Sequence, residues 1–424
     1  MTHRVNFVQE IAYTCPEPGR RDAKGQRILM AMGNKMMTRY SYDPQTFRLL
    51  RQRSEIYSYS NQTYSPHSGL QYDVQYTYDL EGTIKTINDA SPASNSAQGA
   101  GGLLREFSHD PLRRLIAATG RESSNKYRQP GWDLNIRPQD YTATNTYTRS
   151  YQYDKLGNIQ KLKHLAAGHS NQDFARTYEY LAGTNRLNLF AVGSNSFAHE
   201  YDTCGNLIRE NHTRHYEWTA NDKLAVFKNQ AGSSDPTVIT NYFYNAAGER
   251  VKKHTIKGGK IEVTIYTDGG LFETTYTKLI GGNIDTTRFY NTLKIMDDTS
   301  ASLGTGDALI ATIQVGKNVD DTTPPVKYNL SDHLGNSAVT LSESGLLINR
   351  EEYYPFGETS FGGFAYKRYR YNGKEKDEES GLYEYGQRYY APWLCRFVSV
   401  DPVAESFPYY TSYNYAGNKP VSKV

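Results

Sequence analysis

Short runs of alternating apolar and polar residues, interrupted by Gly, Asn, Asp or Pro, recur along most of the chain. In one clear run, Tyr76 and Tyr78 are followed by Asp79 and then by Gly82. Side chains two residues apart lie on the same face of a strand, because successive side chains alternate. Asp at the first corner of a tight turn accepts hydrogen bonds from the backbone beyond it, and Gly at the last corner adopts the positive φ that follows. The pattern therefore predicts a strand, a turn and a second strand, which is a β-hairpin.

This unit is repeated at irregular intervals, which favours a wound ribbon of hairpins over a propeller. No helical period of comparable strength competes with it, so the sequence predicts an all-β chain. Further copies occur at Tyr151, Tyr153, Asp154 and Gly157, at Tyr201, Asp202 and Gly205, and at Tyr242, Tyr244, Asn245 and Gly248, with looser copies at Tyr40, Tyr42, Asp43 and Pro44, at Phe107, Asp110 and Pro111, at Tyr178 and Tyr180, and at Tyr216 and Trp218.

The composition favours thin sheets over a thick apolar core. The chain has 37 Tyr and 35 Gly, an apolar fraction of 38% and a mean hydropathy of −0.71. A Tyr ring packs well on a pleated surface while its hydroxyl stays hydrated or hydrogen-bonded. Stretches rich in Ser, Asn, Thr, Gly and Ala, at about residues 90–102 and 281–325, are predicted to be loop insertions.

Charge and cysteine content exclude several classes of function. The 48 Lys and Arg against 45 Asp and Glu leave a net charge of +3, too small and dispersed for a nucleic-acid-binding field. Cys15, Cys204 and Cys395 lie far apart, so they predict neither a disulfide framework nor a zinc site and indicate a reducing folding compartment. No calcium-binding DxDxDG run is present. No segment of the sequence looks like a secretion signal or a membrane span. We expect no cofactor, no metal and no nucleic-acid partner.

The YDxxGN pattern of Tyr153–Asn158 resembles the YD repeats of Rhs proteins, of the C components of Tc insecticidal toxins and of teneurins. Residues 36–50 and 105–122 resemble the Tc C component in particular. Six ordered motifs near the C-terminus resemble the Rhs-associated core domain: Ser331–Ser337 (SDHLGNS), Tyr354–Glu358 (YPFGE), Tyr371–Asp377 (YNGKEKD), Gly381–Tyr390 (GLYEYGQRYY), Pro392–Asp401 (PWLCRFVSVD) and Tyr413–Pro420 (YNYAGNKP).

The resemblance implies a ribbon of YD-repeat hairpins, residues 1–325, that spirals into part of a hollow cocoon. Residues 326–424 would be the core domain that plugs the cocoon. Such a shell encloses a C-terminal toxic domain, which the core domain releases by cutting its own chain. The implied partners are that toxin domain, absent from this chain, and an upstream B component or further YD-repeat shell.

The same resemblance bears on localisation and on the class of function. It implies production in the bacterial cytoplasm and an exported or extracellular location within a larger toxin assembly. A cell-surface YD-repeat module that binds glycans or another cell is the alternative. We expect no metabolic enzyme activity in either case.

Three positions depart from the family pattern. Cys395 stands where the family usually has Gly, Lys376 stands where many members have Arg, and residues 417–419 replace the commoner Asn-Asn pair. The sequence also ends at Val424, before the DPxG-type segment that carries the cut bond in the family. We therefore expect the shell and the protease residues in this chain, without the scissile bond.

Self-cleavage in the family resembles aspartic-protease chemistry, in which one carboxylate activates water while another donates a proton. The matching residues are Asp377 and Asp401, although an Asp before Pro is also a routine turn residue. Arg388 and Arg396 are candidates for orienting these carboxylates, because a guanidinium can bind one bidentately. Lys376 could act there only as a point charge.

Three other features invite chemistry that the sequence explains more simply. His333 lacks a second His or Cys at ligand spacing, and the adjacent Gly335 marks a turn. Cys395 has no His nearby in the sequence, so nothing indicates a thiol nucleophile. The run Lys367–Tyr371 (KRYRY) could stack on single-stranded nucleic acid, yet alternation on an edge strand explains it equally well.

Overall fold

The computed structural model describes residues 8–13, 26–92, 103–124, 143–296, 309–362 and 367–422. Over these residues the chain consists of strands, turns and five short 3-10 turns, which confirms the predicted all-β fold. None of the helical elements in the described ranges is long and apolar enough to cross a membrane.

The elements follow one another closely along the chain. The 3-10 turns cover Ser170–Gln172, Asp268–Gly270, Tyr371–Gly373, Ala404–Ser406 and Ala416–Asn418. The strands are β1 (Val8–Tyr13), β2 (Arg27–Met32), β3 (Met36–Tyr42), β4 (Leu49–Ser60), β5 (Thr63–Tyr78), β6 (Ile84–Asp89), β7 (Leu103–His109), β8 (Leu115–Ser123), β9 (Thr144–Tyr153), β10 (Ile159–Ala166), β11 (Phe174–Tyr180), β12 (Leu187–Val192), β13 (Asn195–Tyr201), β14 (Leu207–Glu210), β15 (Arg214–Trp218), β16 (Leu224–Asn229), β17 (Val238–Tyr244), β18 (Arg250–Lys257), β19 (Lys260–Thr267), β20 (Phe272–Leu279), β21 (Ile284–Met296), β22 (Leu309–Asn318), β23 (Val326–Ser331), β24 (Ser337–Leu341), β25 (Leu347–Tyr353), β26 (Thr359–Gly362), β27 (Tyr383–Glu384), β28 (Tyr389–Ala391) and β29 (Arg396–Phe397).

The first 26 strands form one sheet in which every strand pairs antiparallel with the next strand along the chain. Strands β27, β28 and β29 form a separate three-stranded sheet. Pairing between sequence neighbours is what a ribbon of hairpins requires. The repeat therefore sets the topology as well as the strand content.

The Asp of each repeat organises its turn, as the sequence predicts. Asp154 Oδ1 accepts hydrogen bonds from the backbone N–H of Leu156 at 2.9 Å and of Asn158 at 2.8 Å. Gly157 closes the turn with a φ of +92°, a left-handed conformation that Gly adopts without steric cost. The strand pairing then shifts register just after Ile159, opposite Tyr153. Each turn thus ends in a bulge that a side-chain oxygen holds in place.

The two aromatic residues of a repeat stabilise the sheet in different ways. The first, such as Tyr76 or Tyr151, is buried in the core. The hydroxyl or indole N–H of the second aromatic residue donates a hydrogen bond to a backbone carbonyl in an earlier hairpin, at the residue where the strand after the turn begins. A shielded hydroxyl or indole N–H needs such an acceptor. The bonds run from Tyr78 to Leu49, from Tyr153 to Leu115, from Tyr180 to Ile159, from Trp218 to Leu207 and from Tyr244 to Leu224, at 2.6–2.8 Å. The pair therefore fills the core and ties successive hairpins together.

The last strands of the sheet lie against its first strands. Gln52 Nε2 donates to the Ser331 carbonyl at 2.7 Å, and Arg350 Nη2 donates to the Gln71 carbonyl at 2.7 Å. The ribbon thus turns back on itself, and long polar side chains hold its two ends in contact.

Residues 281–325, predicted to be a loop insertion, contain β21 and β22, which pair with each other and with their neighbours. Most side chains of β21 are partly or fully exposed, so polar residues occur at both alternating positions and hide the strand pattern. Within 90–102, residues 93–102 lie outside the described ranges. The domain boundary at residues 325 and 326 remains a prediction, because the sheet continues from β22 into β23.

We expect Gly205→Ala to destabilise the fold more than Gly183→Ala. Gly205 has a φ of +89°, and an added Cβ would lie 2.7 Å from Val400 Cγ2 and 2.8 Å from the Tyr413 hydroxyl oxygen. Gly183 has a φ of +71° but nothing within 4 Å of that position. The backbone strain at Gly183 costs about 1–2 kcal/mol, and the clash at Gly205 adds about 1–3 kcal/mol. Urea unfolding of both variants measures the difference; equal losses would contradict the packing argument.

Candidate functional site

The C-terminal motifs dock on the sheet through an Arg that three of the hairpins carry two residues before the aromatic pair. Arg149, Arg176 and Arg214 are buried on the same strand face as the aromatic rings that follow them. Arg176 binds Glu358 with both terminal nitrogens, at 2.7 and 2.9 Å, and Arg149 Nη1 binds the same carboxylate at 2.9 Å. Glu358, the last residue of the YPFGE motif, is therefore clamped between two hairpins.

Other motif residues contact the YD turns directly. The Tyr413 hydroxyl donates to the Gly205 carbonyl at 2.7 Å, and Asn418 Nδ2 donates to the Gly157 carbonyl at 2.7 Å. Trp393 Nε1 donates to the buried Glu210 carboxylate at 2.6 Å. The C-terminal residues thus bind both the strand face and the turns of the repeats.

Asp377 lies in a fully buried cluster of charged side chains. Its carboxylate oxygens lie 2.9 Å from Arg250 Nη1 and 2.9 Å from Lys253 Nζ. Glu375 also binds Arg250, at 2.7 Å, and Glu379 lies 3.3 Å from Lys253. Burial raises the pKa of the Glu379 carboxyl, since only Lys253 among its neighbouring charges opposes that rise. The cluster anchors the YNGKEKD motif to β18.

Asp401 occupies a turn nearer the surface, with a quarter of its side chain exposed (25%). Its Oδ1 accepts from the Val403 backbone N–H at 3.0 Å, and its Oδ2 binds Arg388 Nη2 at 2.7 Å. Among the described contacts, no hydrogen bond or ion pair joins Asp401 to Asp377. The catalytic pairing of the two carboxylates remains a prediction.

The three cations expected to orient these carboxylates have different surroundings. Arg388 binds Asp401, and its guanidinium lies 3.7 Å from the centre of the Phe397 ring. Arg396 donates to the Asn185 carbonyl at 2.6 Å and lies over the Tyr413 ring. Lys376 lies 5.2 Å from the centre of the Tyr383 ring, with no carboxylate in ion-pair distance in the described part of the chain.

The buried amine of Lys376 is not a fixed positive charge. Burial, and then the nearby Arg370, lower its pKa to about 7. Near neutral pH the side chain is therefore about half protonated. Arg388 is the one predicted cation that contacts a candidate carboxylate within the described ranges.

Sequence reasoning missed Arg250 and Lys253, the cations that hold Asp377. The sequence did contain a signal for Arg250. It is the first strand residue after its turn, and at that position other hairpins have a buried Leu or Ile. A charge at such a position needs a buried partner of opposite sign. The equivalent residues are Leu49, Ile84, Leu115, Ile159, Leu187, Leu207 and Leu224.

Cys395 and the basic run both have structural explanations. Cys395 adopts a φ of +57°, a conformation that explains the usual Gly of the family. Burial raises the pKa of its thiol to about 12, so the side chain is protonated and a poor nucleophile.

In the basic run, Lys367 and Arg370 bind Glu351 at 3.2 and 3.1 Å, and Arg368 binds Glu273 at 2.8 Å. These charges are therefore already paired with acidic side chains. No group of three or more His, Cys, Asp and Glu in the described residues is arranged to hold a metal ion.

The chain is similar in sequence to toxin subunits of known name. No family model matches the chain. The toxin subunits YenC1 and YenC2 of Yersinia entomophaga are 27% identical over 405 residues and 26% identical over 397 residues. Each alignment covers 90% of this chain and 39% of the relative, so the chain spans about two fifths of their length.

The fold has a counterpart among solved structures. A crystal structure of TcdB2-TccC3 matches with a TM-score of 0.82 and 23% identity, over 99% of this chain and 19% of that chain. The chain is thus similar in sequence to toxin subunits and in fold to a Tc toxin complex, as expected for a protein that resembles the Rhs/YD-repeat C components of Tc toxins.

Proposed function

We propose that the chain forms part of the shell of a toxin C component and retains a toxic C-terminal segment until its release. The observation that supports this is the docking of the core motifs on one face of the sheet through buried charges, notably Glu358 between Arg149 and Arg176. Buried ion pairs of this kind fix orientation, because each charge must keep its partner. A core domain held in this way would close one end of a shell.

The proposed release step is self-cleavage by the carboxylates of Asp377 and Asp401. Water would add its hydroxyl to the scissile carbonyl carbon, and the leaving backbone nitrogen would receive a proton. Asp401 is partly exposed and lies at the end of the PWLCRFVSVD motif, where a peptide could reach it. Asp377 lies behind Arg250 and Lys253, so its participation requires those contacts to open or makes its role a structural one.

We expect a chain that carries its native residues beyond Val424 to cut itself, and Asp401→Asn to slow that cut by about 100-fold or more. The Asn oxygen can still accept from the Val403 N–H, so the turn is preserved. Asp377→Asn should also block the cut, and Lys376→Ala should slow it less. Asp79→Asn, in a turn of the same type outside the core motifs, is the control and should cut normally. Gel electrophoresis and mass spectrometry measure the products.

Three results are decisive for this proposal. If both Asn variants are cut at the normal rate, aspartyl self-cleavage is wrong. If Asp377→Asn alone fails and its circular dichroism or unfolding midpoint changes, Asp377 has a structural role.

Enclosure is tested separately: an attached downstream domain should resist added protease in the intact shell, and digestion at the rate of the free domain would contradict it.

A further inference from the structure

Strands β17 to β22 carry polar side chains on the face that the core motifs cover. Hydrogen bonds join this covered face to the segment 368–379 through four side chains, those of Tyr242, Lys253, Tyr266 and Glu273. Successive side chains of a strand alternate between the two faces of a sheet. The residues next to these four along each strand therefore point away from the core motifs.

The opposite face of the same six strands, here called the open face, is apolar. Its large apolar side chains with the greatest exposure, 37–63%, are those of Phe243, Ile265, Phe272, Phe289, Leu293 and Val315. They are neighbours across the strands, since the register pairs Phe272 with Leu293 and Tyr276 with Phe289. An antiparallel sheet normally turns its polar face to water and its apolar face to the core. Here the order is reversed, and a contiguous exposed apolar surface marks an interaction site.

The open face is also basic. Three lysines lie on it as register partners of its apolar residues, namely Lys252, Lys278 and Lys317. The acidic residues of these described strands have other positions. Glu262 and Glu273 alternate to the covered face, and Asp285, at the start of β21, binds Arg288 at 2.8 Å. The open face therefore combines apolar side chains with positive charge.

His254, in the middle of the open face, is affected by this positive charge. The register places it between Asn241 and Val263 of the neighbouring strands. Burial, followed by the nearby Lys252 and Lys278, lowers the pKa of the imidazole. The ring is therefore neutral at neutral pH, and the charge of the face comes from its lysines.

We propose that the open face of β17–β22 binds an anionic lipid surface, with its aromatic and aliphatic side chains at the lipid boundary and its lysines on the headgroup phosphates. Peripheral binding of this kind combines burial of apolar area with attraction between Lys and anionic lipids. Long Lys side chains keep their ammonium groups in water while their stems lie along apolar surface. The inference does not depend on the proposed self-cleavage, because the open face lies opposite the core motifs.

The position of Lys252 favours lipid over a protein partner. It lies between Phe243 and Ile265 in one cross-strand row, and its Nζ is 5.3 Å from the centre of the Phe243 ring. A protein partner would bury this ammonium group and would need a carboxylate placed opposite it. The open face of a second copy of this chain would oppose lysines to lysines. An anionic bilayer offers headgroup phosphates at every position.

The test uses the full protein that contains this chain and sediments it with vesicles of phosphatidylcholine, either alone or mixed with phosphatidylserine. We expect binding to the mixed vesicles to be at least about tenfold tighter than to phosphatidylcholine alone. Val315→Ser combined with Lys317→Glu should weaken binding to the mixed vesicles by about tenfold or more. The matched control is Leu156→Ser combined with Lys155→Glu, an exposed apolar residue and an exposed Lys in a turn outside the open face, and it should bind normally.

A second measurement does not depend on the charge variants. Val315→Cys and Leu156→Cys, each in a background of Cys15→Ser and Cys204→Ser, carry an environment-sensitive fluorophore. Mixed vesicles should shift the emission to the blue at position 315 and leave it unchanged at position 156. Thermal midpoints check that each variant is folded.

Three results would overturn the inference: no binding to the mixed vesicles, equal binding by the open-face variant and its control, or an unshifted label at position 315. Saturable binding of an acidic protein to the open face, without binding to vesicles, would assign the face to a protein partner instead. The vesicle measurements need no cleavage, so they stand whether or not the aspartyl proposal is correct.

Discussion

Replacing Glu358 with Gln should lower the free energy of unfolding by about 3–5 kcal/mol, because it leaves two buried guanidinium groups without their shared counter-ion. Glu358 binds Arg176 at 2.7 Å and Arg149 at 2.9 Å, and both Arg side chains are almost fully buried. Gln keeps the shape of the side chain, so the loss reports the charge rather than a cavity. The midpoint of urea unfolding at neutral pH, with the slope of the transition checked, measures it.

Glu200→Gln is the matched control for this experiment. Glu200 pairs with Arg209 on the surface, where 47% and 43% of the two side chains are exposed. Exposed ion pairs contribute about 0–1 kcal/mol, so the control should change little. If Glu358→Gln costs no more than Glu200→Gln, the core motifs are not held to the sheet by this charge cluster.

The hairpins could be predicted because their determinants are local. Asp154 and Gly157 are three residues apart, and the turn between them is set by one side-chain oxygen and one backbone conformation. Strand β21 escaped prediction because its partly exposed faces carry Thr, Asp and Asn, which resemble loop composition. Sequence patterns therefore identify a strand only when one of its faces is buried.

The charge clusters could not be predicted in full because their partners are far apart in the sequence. Arg149 and Glu358 are separated by 209 residues, and Arg250 and Asp377 by 127. No periodicity relates such pairs. The burial of Arg149, Arg176 and Arg214 was nonetheless predictable, because each lies two residues before an aromatic pair and so on the same strand face as rings expected to be buried.

The predicted catalytic residues came from family resemblance and not from physical rules. The structure gives Asp377 and Asp401 separate partners, Arg250 and Lys253 for the former and Arg388 for the latter. A carboxylate between two buried cations also satisfies a purely structural requirement. Only the cleavage experiment separates that explanation from catalysis.

Two other buried carboxyls make the protein sensitive to acid. Burial alone would raise the pKa of Glu210, yet Arg214, His199 and Trp393 together lower it to about 2. Burial opposes ionisation of Glu351 in the same way, and Arg370 and Lys367 lower its pKa to about 2. In an unfolded chain both groups would titrate near 4.5. The folded chain therefore binds fewer protons than the unfolded chain between about pH 4.5 and pH 2.

Stability should accordingly be full above about pH 4.5 and fall steadily as the pH drops toward 2, by about 3 kcal/mol for each of the two carboxyls. Urea unfolding at a series of pH values measures this slope. Glu351→Gln should flatten the slope, because it removes one of the groups that takes up a proton on unfolding. Asp285→Asn is the control: hydrogen bonds from Thr287 and Arg288 lower the pKa of Asp285 to about 2, but a third of its side chain (33%) is exposed at the surface, so solvent screening should leave the slope nearly unchanged. An equal flattening by both variants would show that acid sensitivity does not arise from the buried carboxyls.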